Sequence, residues 1–513
     1  MNAKALFTYM LLLPFVAISC SGTDVVDPKF TPPDAVIHPE KSADTDSLLP
    51  QADAVKAYSP SLIGKMYRPI QVSYSSQYPP VSSWNTADTR VIPFMEGYMS
   101  QIKSEREYKA LTNKYGSYTG KGKQTATGRF YTKKIGNRWW IIDPEGYPHY
   151  ERSTCSFRQG SSARNKAAWI SRFGSIAAWA AKSQAELASI GFHGIGAFST
   201  DGYSAALNHN KSNPSAPIII SPSFAFLRQF ATASGIGYPG GSSSNLIGVV
   251  INSQWPSWCK IYAAQILAPY KNDPNVLGIF SDNEINFSSN KDRVLDHFLS
   301  IKDHNDAAYV YAAKYMSDKG ATSVTDELNN EFAGQLAELY YKGVKEAINS
   351  VDPQMLYLGT RLHGRPKYME HVVRAAGKYC DIISINYYSR WSPELDTYVN
   401  DWATWADKPF MVSEFYTKAA DSELSNQSGA GLTVPSQKER AWAYQHFTLG
   451  LLEAPNCVGW HWFKYQDDDG NDNDNKPANK GIYDNNYEMY PYLTRYMRQL
   501  NFNVYNLIDY FDN

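Results

Sequence analysis

The chain has 513 residues and a formal net charge of -1, from 49 basic and 50 acidic side chains. That length allows one large domain with an appendage. The balanced charge, with no basic block, excludes attraction to nucleic acid or to an anionic membrane through a positive face. Aromatic residues make up 14% of the chain, with 37 Tyr and 13 Trp; such rings suit a large α/β core and equally suit stacking on sugar faces.

Lys4 followed by the apolar run Leu6 to Val16 reads as an export signal too short to span a bilayer permanently. The run ends in Ala17-Ile18-Ser19-Cys20, small residues before a cysteine, which resembles a bacterial lipoprotein signal. Residues 1–20 are therefore expected to be a lipoprotein signal peptide, with Cys20 lipidated; an ordinary cleaved signal with a chance cysteine is the alternative. Acyl chains on Cys20 would tether the protein to a membrane. The expected location is the bacterial outer membrane, facing the periplasm or the cell surface. Residues 21–60, rich in Pro, Asp, Ser and Ala, read as a flexible linker. Residues 61–128 read as an accessory segment. Tyr67 to Trp84 is extended or looped there, and Ile92 to Tyr115 has room for a short helix.

From residue 129 strand and helix patterns alternate. Trp139 to Gly146 is a strand running into a turn, and His149 to Phe157 is the first barrel strand. Ile176 to Ile190 has helical spacing and leads into a second strand over Gly191 to Phe198. Both Ile218 to Ile220 and Ile247 to Ile251 are candidates for the third. Trp258 to Tyr270 is an amphipathic helix and Val276 to Ser281 the fourth strand. A helical insertion follows over 288–322, then a long helix over Thr325 to Asn349. Met355 to Thr360, Ile382 to Tyr387 and Phe410 to Ser413 are strands five to seven. Gln437 to Glu453 is a helix, and Val458 to Tyr465 is strand eight. The fold class expected is α/β: a TIM (β/α)8 barrel over residues 129–513 with a small N-terminal extension and enlarged loops. A doubly wound sheet is the alternative, but no Gly-rich phosphate turn follows the first strand.

Two of these runs end in a glutamate. Strand four runs into Asp282-Asn283-Glu284, and strand seven into Ser413-Glu414-Phe415. Carboxylates at the carboxyl ends of barrel strands sit where loops build active sites. Two carboxyls across one bond are the equipment of glycoside hydrolysis, about 5 Å apart in the retaining mode. Strands four and seven face each other across a barrel mouth. Asn283 beside Glu284 offers an amide to a sugar hydroxyl.

With these residues the chain resembles clan A glycoside hydrolases, most closely the β-agarases of glycoside hydrolase family 50. The resemblance rests on five pieces in order: Trp139 to Tyr147, Gly278 to Glu284, Tyr357 to Arg361, Val412 to Phe415, and Gly459 to Tyr465. It implies Glu284 as acid/base, Glu414 as nucleophile, and Asn283 on the hydroxyl next to the anomeric carbon. Arg361 at the end of strand five is placed to keep the nucleophile ionised. Asn386, Tyr387 and Tyr388 close strand six; one of the two tyrosines is expected to reach the nucleophile. Trp460 and Trp462, two apart on strand eight, share a face. If that face is the mouth, one of them floors a sugar subsite; the alternative for both is core. His363 and Lys464 are candidates for polar contacts at the rim. The chain departs from the family pattern at Tyr416-Thr417-Lys418 and in the acidic stretch Gln466 to Asn475, which bears on the substrate more than on the chemistry.

No cofactor or metal is expected. The acidic stretch fails EF-hand spacing, since Gly470 at the turn would put Tyr465 and Lys476 at ligand positions; a calcium held over 467–474 in some other geometry is the alternative. His297 and His304 have no third ligand nearby in sequence. Cys155, Cys259, Cys380 and Cys457 lie in apolar contexts and read as buried thiols. The expected activity is cleavage of β-linked galactan such as agarose, with a polysaccharide or oligosaccharide as partner. Two alternatives remain: the same chemistry on another β-glycan (a β-galactoside or β-mannan), and a glycan-capturing lipoprotein without catalysis.

Overall fold

The computed structural model describes residues 68–73, 83–95, 98, 100–236, 246–288, 293–470 and 477–513. The signal peptide, Cys20 and the linker to residue 60 lie outside the described residues. No helix among the described residues is long and apolar enough to cross a membrane.

The described residues begin with an antiparallel pair, β1 (Arg68–Val72) and β2 (Asn85–Thr89). An antiparallel trio follows: β3 (Tyr131–Ile135), β4 (Arg138–Ile142) and β5 (Pro148–His149). The parallel strands come next, separated by helices with one exception: β6 (Glu151–Thr154), β7 (Gly194–Ile195), β8 (Ile219–Ile220), β9 (Ser223–Phe224), β10 (Gly278–Ser281), β11 (Leu356–Tyr357), β12 (Ile383–Asn386) and β13 (Phe410–Phe415). Only β8 and β9 follow each other without a helix between them. A parallel two-stranded ribbon, β14 (Thr417–Ala419) with β15 (Leu432–Val434), precedes β16 (Cys457–Trp462).

The fold is therefore mixed α/β with parallel sheets. Six strands form one sheet in the order β12-β13-β16-β6-β7-β8, and three form another in the order β11-β10-β9. Single parallel bridges connect the two sheets: Ile220 of β8 to Val276, just before β10, and Leu362, past β11, to Ile385 of β12. The third strand is Ile219–Ile220. Ile247–Ile251, the rival, is a 3-10 helix packed against the long helix Asp326–Val351. A short apolar run fits a strand and a buried helical turn equally well until its neighbours are known.

Two apolar clusters hold this arrangement. The larger fills the space between sheets and helices. It includes Trp179, Trp255, Trp402, Tyr444, Trp460 and Trp462. The smaller takes Ile219, Leu277, Leu356, Leu358, Ile382, Met411 and Val458, side chains contributed by successive strands or strand edges. Close approach is secured by glycine at one crossing: a Cβ on Gly194 would lie 2.3 Å from Ser153 Oγ and 2.8 Å from the carbonyl of Ile219. The four cysteines among the described residues, Cys155, Cys259, Cys380 and Cys457, are buried free thiols.

Within 61–128, a capping box at Ser104 starts the helix Glu105–Leu111. Tyr108 on this helix stacks on Phe502 at 4.5 Å. The backbone N–H of Arg90 donates to His446 Nδ1 and that of Ile92 to Gln445 Oε1, at 2.9 and 2.8 Å. Both acceptors stand on the helix Gln437–Glu453, so this segment is packed onto the main body.

Candidate active site

Backbone strain marks one end of the parallel strands. Ser156, Phe198, Asp282, Glu284, Arg361 and Ser389 all have positive φ, between 52° and 65°. They stand just past β6, β7, β10, β11 and β12. Non-glycine residues held in the left-handed region cost of order 1–3 kcal/mol each and cluster at functional sites. The chain bears this cost six times on one rim.

Glu414 is part of β13, whose pairing with β12 shifts register between Ile385 and Asn386 so that Asn386 stands opposite Glu414. Such an irregularity re-aims a side chain. Glu414 is 5% exposed. Arg361 Nη2 donates to its Oε1, and the hydroxyl of Tyr388 donates to its Oε2 at 2.7 Å. Burial pushes the Glu414 carboxyl up. The Arg361 guanidinium pulls it down, the neighbouring Glu284 pushes it up, and the Tyr388 bond pulls it down; the outcome lies above the ordinary glutamate value.

Glu284 is half-buried and is reached from the same network. Asn386 Nδ2 donates to Glu284 Oε1 at 2.7 Å, while Asn386 Oδ1 accepts the Ser413 hydroxyl at 2.8 Å. Asn283 Oδ1 accepts from Arg361 Nε at 2.9 Å and from Asn386 Nδ2 at 3.3 Å. With its oxygen held twice, the exposed Asn283 side chain turns its NH2 outward. Arg361 is fully buried, its guanidinium 5.2 Å from the ring centres of both Phe198 and Phe280. A planar cation between two rings, donating to Asn283 and Glu414, has no freedom to swing away.

Six residues expected from sequence meet in this one network: Asn283, Glu284, Arg361, Asn386, Tyr388 and Glu414. His363 stands beside it, its Nδ1 3.3 Å from the Asn386 carbonyl and its ring edge-on to Tyr388. Two other expectations, for Tyr387 and for the tryptophan pair, need correction. Tyr387 points away from the network, its hydroxyl donating to Glu394 at 2.9 Å and its ring packed on Trp402 and Phe447. Trp460 and Trp462 do share a face, but it is the helix side of β16. Trp460 Nε1 donates to the Tyr444 hydroxyl at 3.0 Å and Trp462 Nε1 to the Lys480 carbonyl at 2.9 Å. Both indoles are fully buried in the core and floor no open site. Lys464 is 3% exposed, so it offers little surface to an open rim.

Sequence reasoning missed Phe198, Ser413, Tyr416 and Phe463. Tyr416 meets the Tyr388 ring edge-on at 5.4 Å, and Phe463 tilts against Tyr416 at 5.8 Å. Phe198 and Phe463 meet edge-on at 6.4 Å. Phe198 carried a readable signal, since it ends a strand as the two glutamates do.

The acidic stretch is structural where it is described. Asp467 Oδ1 accepts from the backbone N–H of Lys480 and Gly481, each at 2.7 Å, and Oδ2 from Asn479 and Tyr490. Asp468 accepts from Ser161. Residues 471–476 lie outside the described residues. Elsewhere, Glu327, Glu331 and His371 bring ligand atoms within 4.8 Å of one another on helices outside the sheets. There Lys319 already pairs with Glu331, and His371 with Glu327.

No family model matches the chain. The crystal structure of BpGH50 is similar to it at 48% identity, covering 87% of this chain and 96% of that one, with a TM-score of 0.81. A structure described as an exo-beta-agarase is 19% identical, over 79% of this chain and 70% of that one, with a TM-score of 0.63, a likeness of fold. Beta-agarase B of Vibrio sp. (strain JT0107) is 26% identical over 233 residues, 38% of this chain and 24% of that protein. Beta-agarase A of the same strain is 30% identical over 177 residues, 34% of this chain and 18% of that protein. The chain thus spans about a quarter or less of the length of these curated relatives.

Proposed function

Because the chain belongs to glycoside hydrolase family 50, as its likeness to BpGH50 along nearly the whole of that protein establishes, we propose that it is a retaining glycoside hydrolase cutting β-linked galactan, agarose or its oligosaccharides. The observation that carries this reading is the single network in which Arg361, Asn283 and Asn386 tie Glu284 to Glu414. The agarase names of the curated relatives support the choice of substrate over the stretches they match.

In this reading Glu284 protonates the leaving oxygen while Glu414 attacks the anomeric carbon. A glycosyl–enzyme bond forms on Glu414, and Glu284 then takes a proton from water as that bond is broken. The outward Asn283 NH2 donates to the hydroxyl beside the anomeric carbon, a contact that strengthens as charge develops there. Arg361 and Tyr388 supply the donors that keep a buried Glu414 carboxylate available for attack.

The scaffold proposed is a TIM barrel of the clan A type. It is supported by the two single bridges between the parallel sheets and by the apolar cluster drawing on successive strands. Attachment through Cys20 and an outer-membrane location remain part of the proposal; their support is the sequence of residues 1–20 alone.

Glu414→Ala and Glu284→Gln are each expected to remove nearly all turnover, and the first sugar released by the wild type should keep the β configuration in NMR. Full activity in either variant, or an α product, overturns the assignment. Products from agarose set beside those from plain β-1,4-galactan identify the backbone. Tight binding with no product from either would leave a glycan-capturing protein.

A further inference from the structure

Deep in the parallel strands lies a polar cluster that the reaction above does not use. Glu151, the first residue of β6, is fully buried. Its Oε2 accepts from His149 Nε2 at 2.8 Å, and its Oε1 accepts the Ser153 hydroxyl. His461 Nε2 stands 3.3 Å from the same Oε1. Three glycines open the space. A Cβ on Gly459 would lie 2.5 Å from the Glu151 Cβ, one on Gly194 2.3 Å from Ser153 Oγ, and one on Gly196 2.3 Å from His461 Nδ1.

The hydrogen bonds fix the charge of this cluster. The buried Ser117 hydroxyl pairs with His149 Nδ1 at 3.1 Å. It donates there, because a buried hydroxyl proton without an acceptor is costly. His149 Nδ1 then carries no proton, and the ring is neutral. His461 Nδ1 is buried without a hydrogen-bond partner, so a second proton on that ring would be an orphan as well. Burial holds His461 below its ordinary value; Glu151 opposes this and Arg361 adds to it. Burial pushes the Glu151 carboxyl up, but the two histidines more than offset it and hold Glu151 below the ordinary glutamate value. Two neutral rings around an ionised carboxylate leave one buried negative charge.

A single aromatic ring joins this anion to the candidate active site. Phe280 meets His461 edge-on at 5.8 Å, and its ring centre is 5.2 Å from the Arg361 guanidinium. Beyond Glu284 and Glu414, the titratable groups around it add no second negative charge. The Cys155 thiol, 3.9 Å from Arg361 Nη1, is pushed by burial up to about 12. Arg152 and His193 both turn to the Tyr108 hydroxyl, at 2.8 and 2.9 Å, and burial holds His193 well below its ordinary value.

We propose that Glu151 is a positioning residue for the reaction: a buried anion that tempers the pull of Arg361 on Glu414 and keeps the nucleophile basic. The inference rests on the reading of Glu414 as nucleophile. A like charge in a low-dielectric interior raises the pKa of a carboxyl. Without Glu151, the guanidinium acts on Glu414 undiluted.

The test compares Glu151→Gln, which removes the charge, with Glu151→Asp, which keeps it; both disturb packing. In Glu151→Gln the acid limb of the kcat/KM profile should move downward by about 1 pH unit, because Glu414 ionises more readily. In Glu151→Asp it should stay in place. A second readout needs no turnover. The stability difference between each protein and its Glu414→Gln derivative, from urea melts across pH, bends at the folded Glu414 pKa. That bend should move with the limb. A limb or bend that stays put or rises in Glu151→Gln, or equal shifts in both variants, overturns the proposal. If the bend moves but no glycan is cleaved, Glu151 still tunes Glu414 and the hydrolase reading falls. Should Glu151→Gln not fold, nitrogen NMR of the wild-type histidine rings decides. Neutral His149 and His461 at neutral pH support the buried anion, and a charged ring at either position, which would cancel it, overturns the proposal.

Discussion

Tyr388→Phe removes one oxygen and one hydrogen bond from the site. The lost bond runs 2.7 Å from the Tyr388 hydroxyl to Glu414 Oε2, inside a pocket where Glu414 is 5% exposed. A hydrogen bond to a charged group is worth about 1.5–3 kcal/mol. At about 1.4 kcal/mol for each unit of pKa, losing it raises the Glu414 carboxyl by about 1–2 units. Its wild-type value is already above the ordinary one, because burial, with Glu284 beside it, outweighs Arg361 and Tyr388 together. The sign follows from the role: attack needs the ionised form, so activity falls as pH drops through this pKa. The acid limb of a kcat/KM profile should therefore move about 1–2 pH units upward. The same change alters stability. A carboxyl raised on folding stabilises below its unfolded pKa, and that contribution is lost as pH rises through the folded value. The variant should therefore lose stability, relative to wild type, mainly at neutral and alkaline pH. The assay is a pH series of kcat/KM on one oligosaccharide, paired with urea melts at acid and neutral pH. A uniformly lower plateau with the acid limb unmoved would refute the reasoning, because the hydroxyl would then be bracing the pocket without tuning the charge.

Arg361→Met strips the guanidinium from a buried pair and should cost about 3–5 kcal/mol in urea unfolding at neutral pH. The loss should shrink at acid pH, where Glu414 takes a proton; a pH-independent loss would point to packing alone. His446 is held down to about 3 from an ordinary 6.5, by burial first and then by Arg90. A depressed pKa gives stability present above 6.5 and lost as pH falls toward the folded value, about 1.4 kcal/mol per pH unit. His446→Gln should therefore flatten the acid side of a plot of Tm against pH, and an unchanged slope would assign that loss to other groups. Trp460→Phe gives up the bond to Tyr444 and some core volume. It should lower stability by about 1–3 kcal/mol with KM unchanged, whereas a raised KM would return this indole to the sugar site.

The order of elements and the two glutamates were legible because buried strands leave short apolar runs and a carboxylate interrupts such a run conspicuously. Arg361 and Asn386 were legible for the same reason, as polar residues closing apolar strands. Facing was not. Trp460 and Trp462 alternate correctly, but period-two spacing gives two faces without saying which looks toward helix Gln437–Glu453. Tyr387 and Tyr388 pose the same problem, decided by a register shift that no local pattern encodes. Phe198 was legible as a strand-end residue, but not as an exposed one, because its exposure exists only once β7 is packed. Residues 61–128 gave little periodicity because much of their order comes from long-range partners, as at Arg90 and Ile92.

The network around Glu414 joins residues 283, 284, 361, 386, 388, 413 and 414, drawn from four consecutive parallel strands and their ends. Loss of any one of these four strand ends breaks the bridge from one carboxylate to the other. Enzymatic competence should thus be an all-or-none property of folding: during refolding, turnover should appear late, in step with the slowest tertiary probe, and lag behind the recovery of helix.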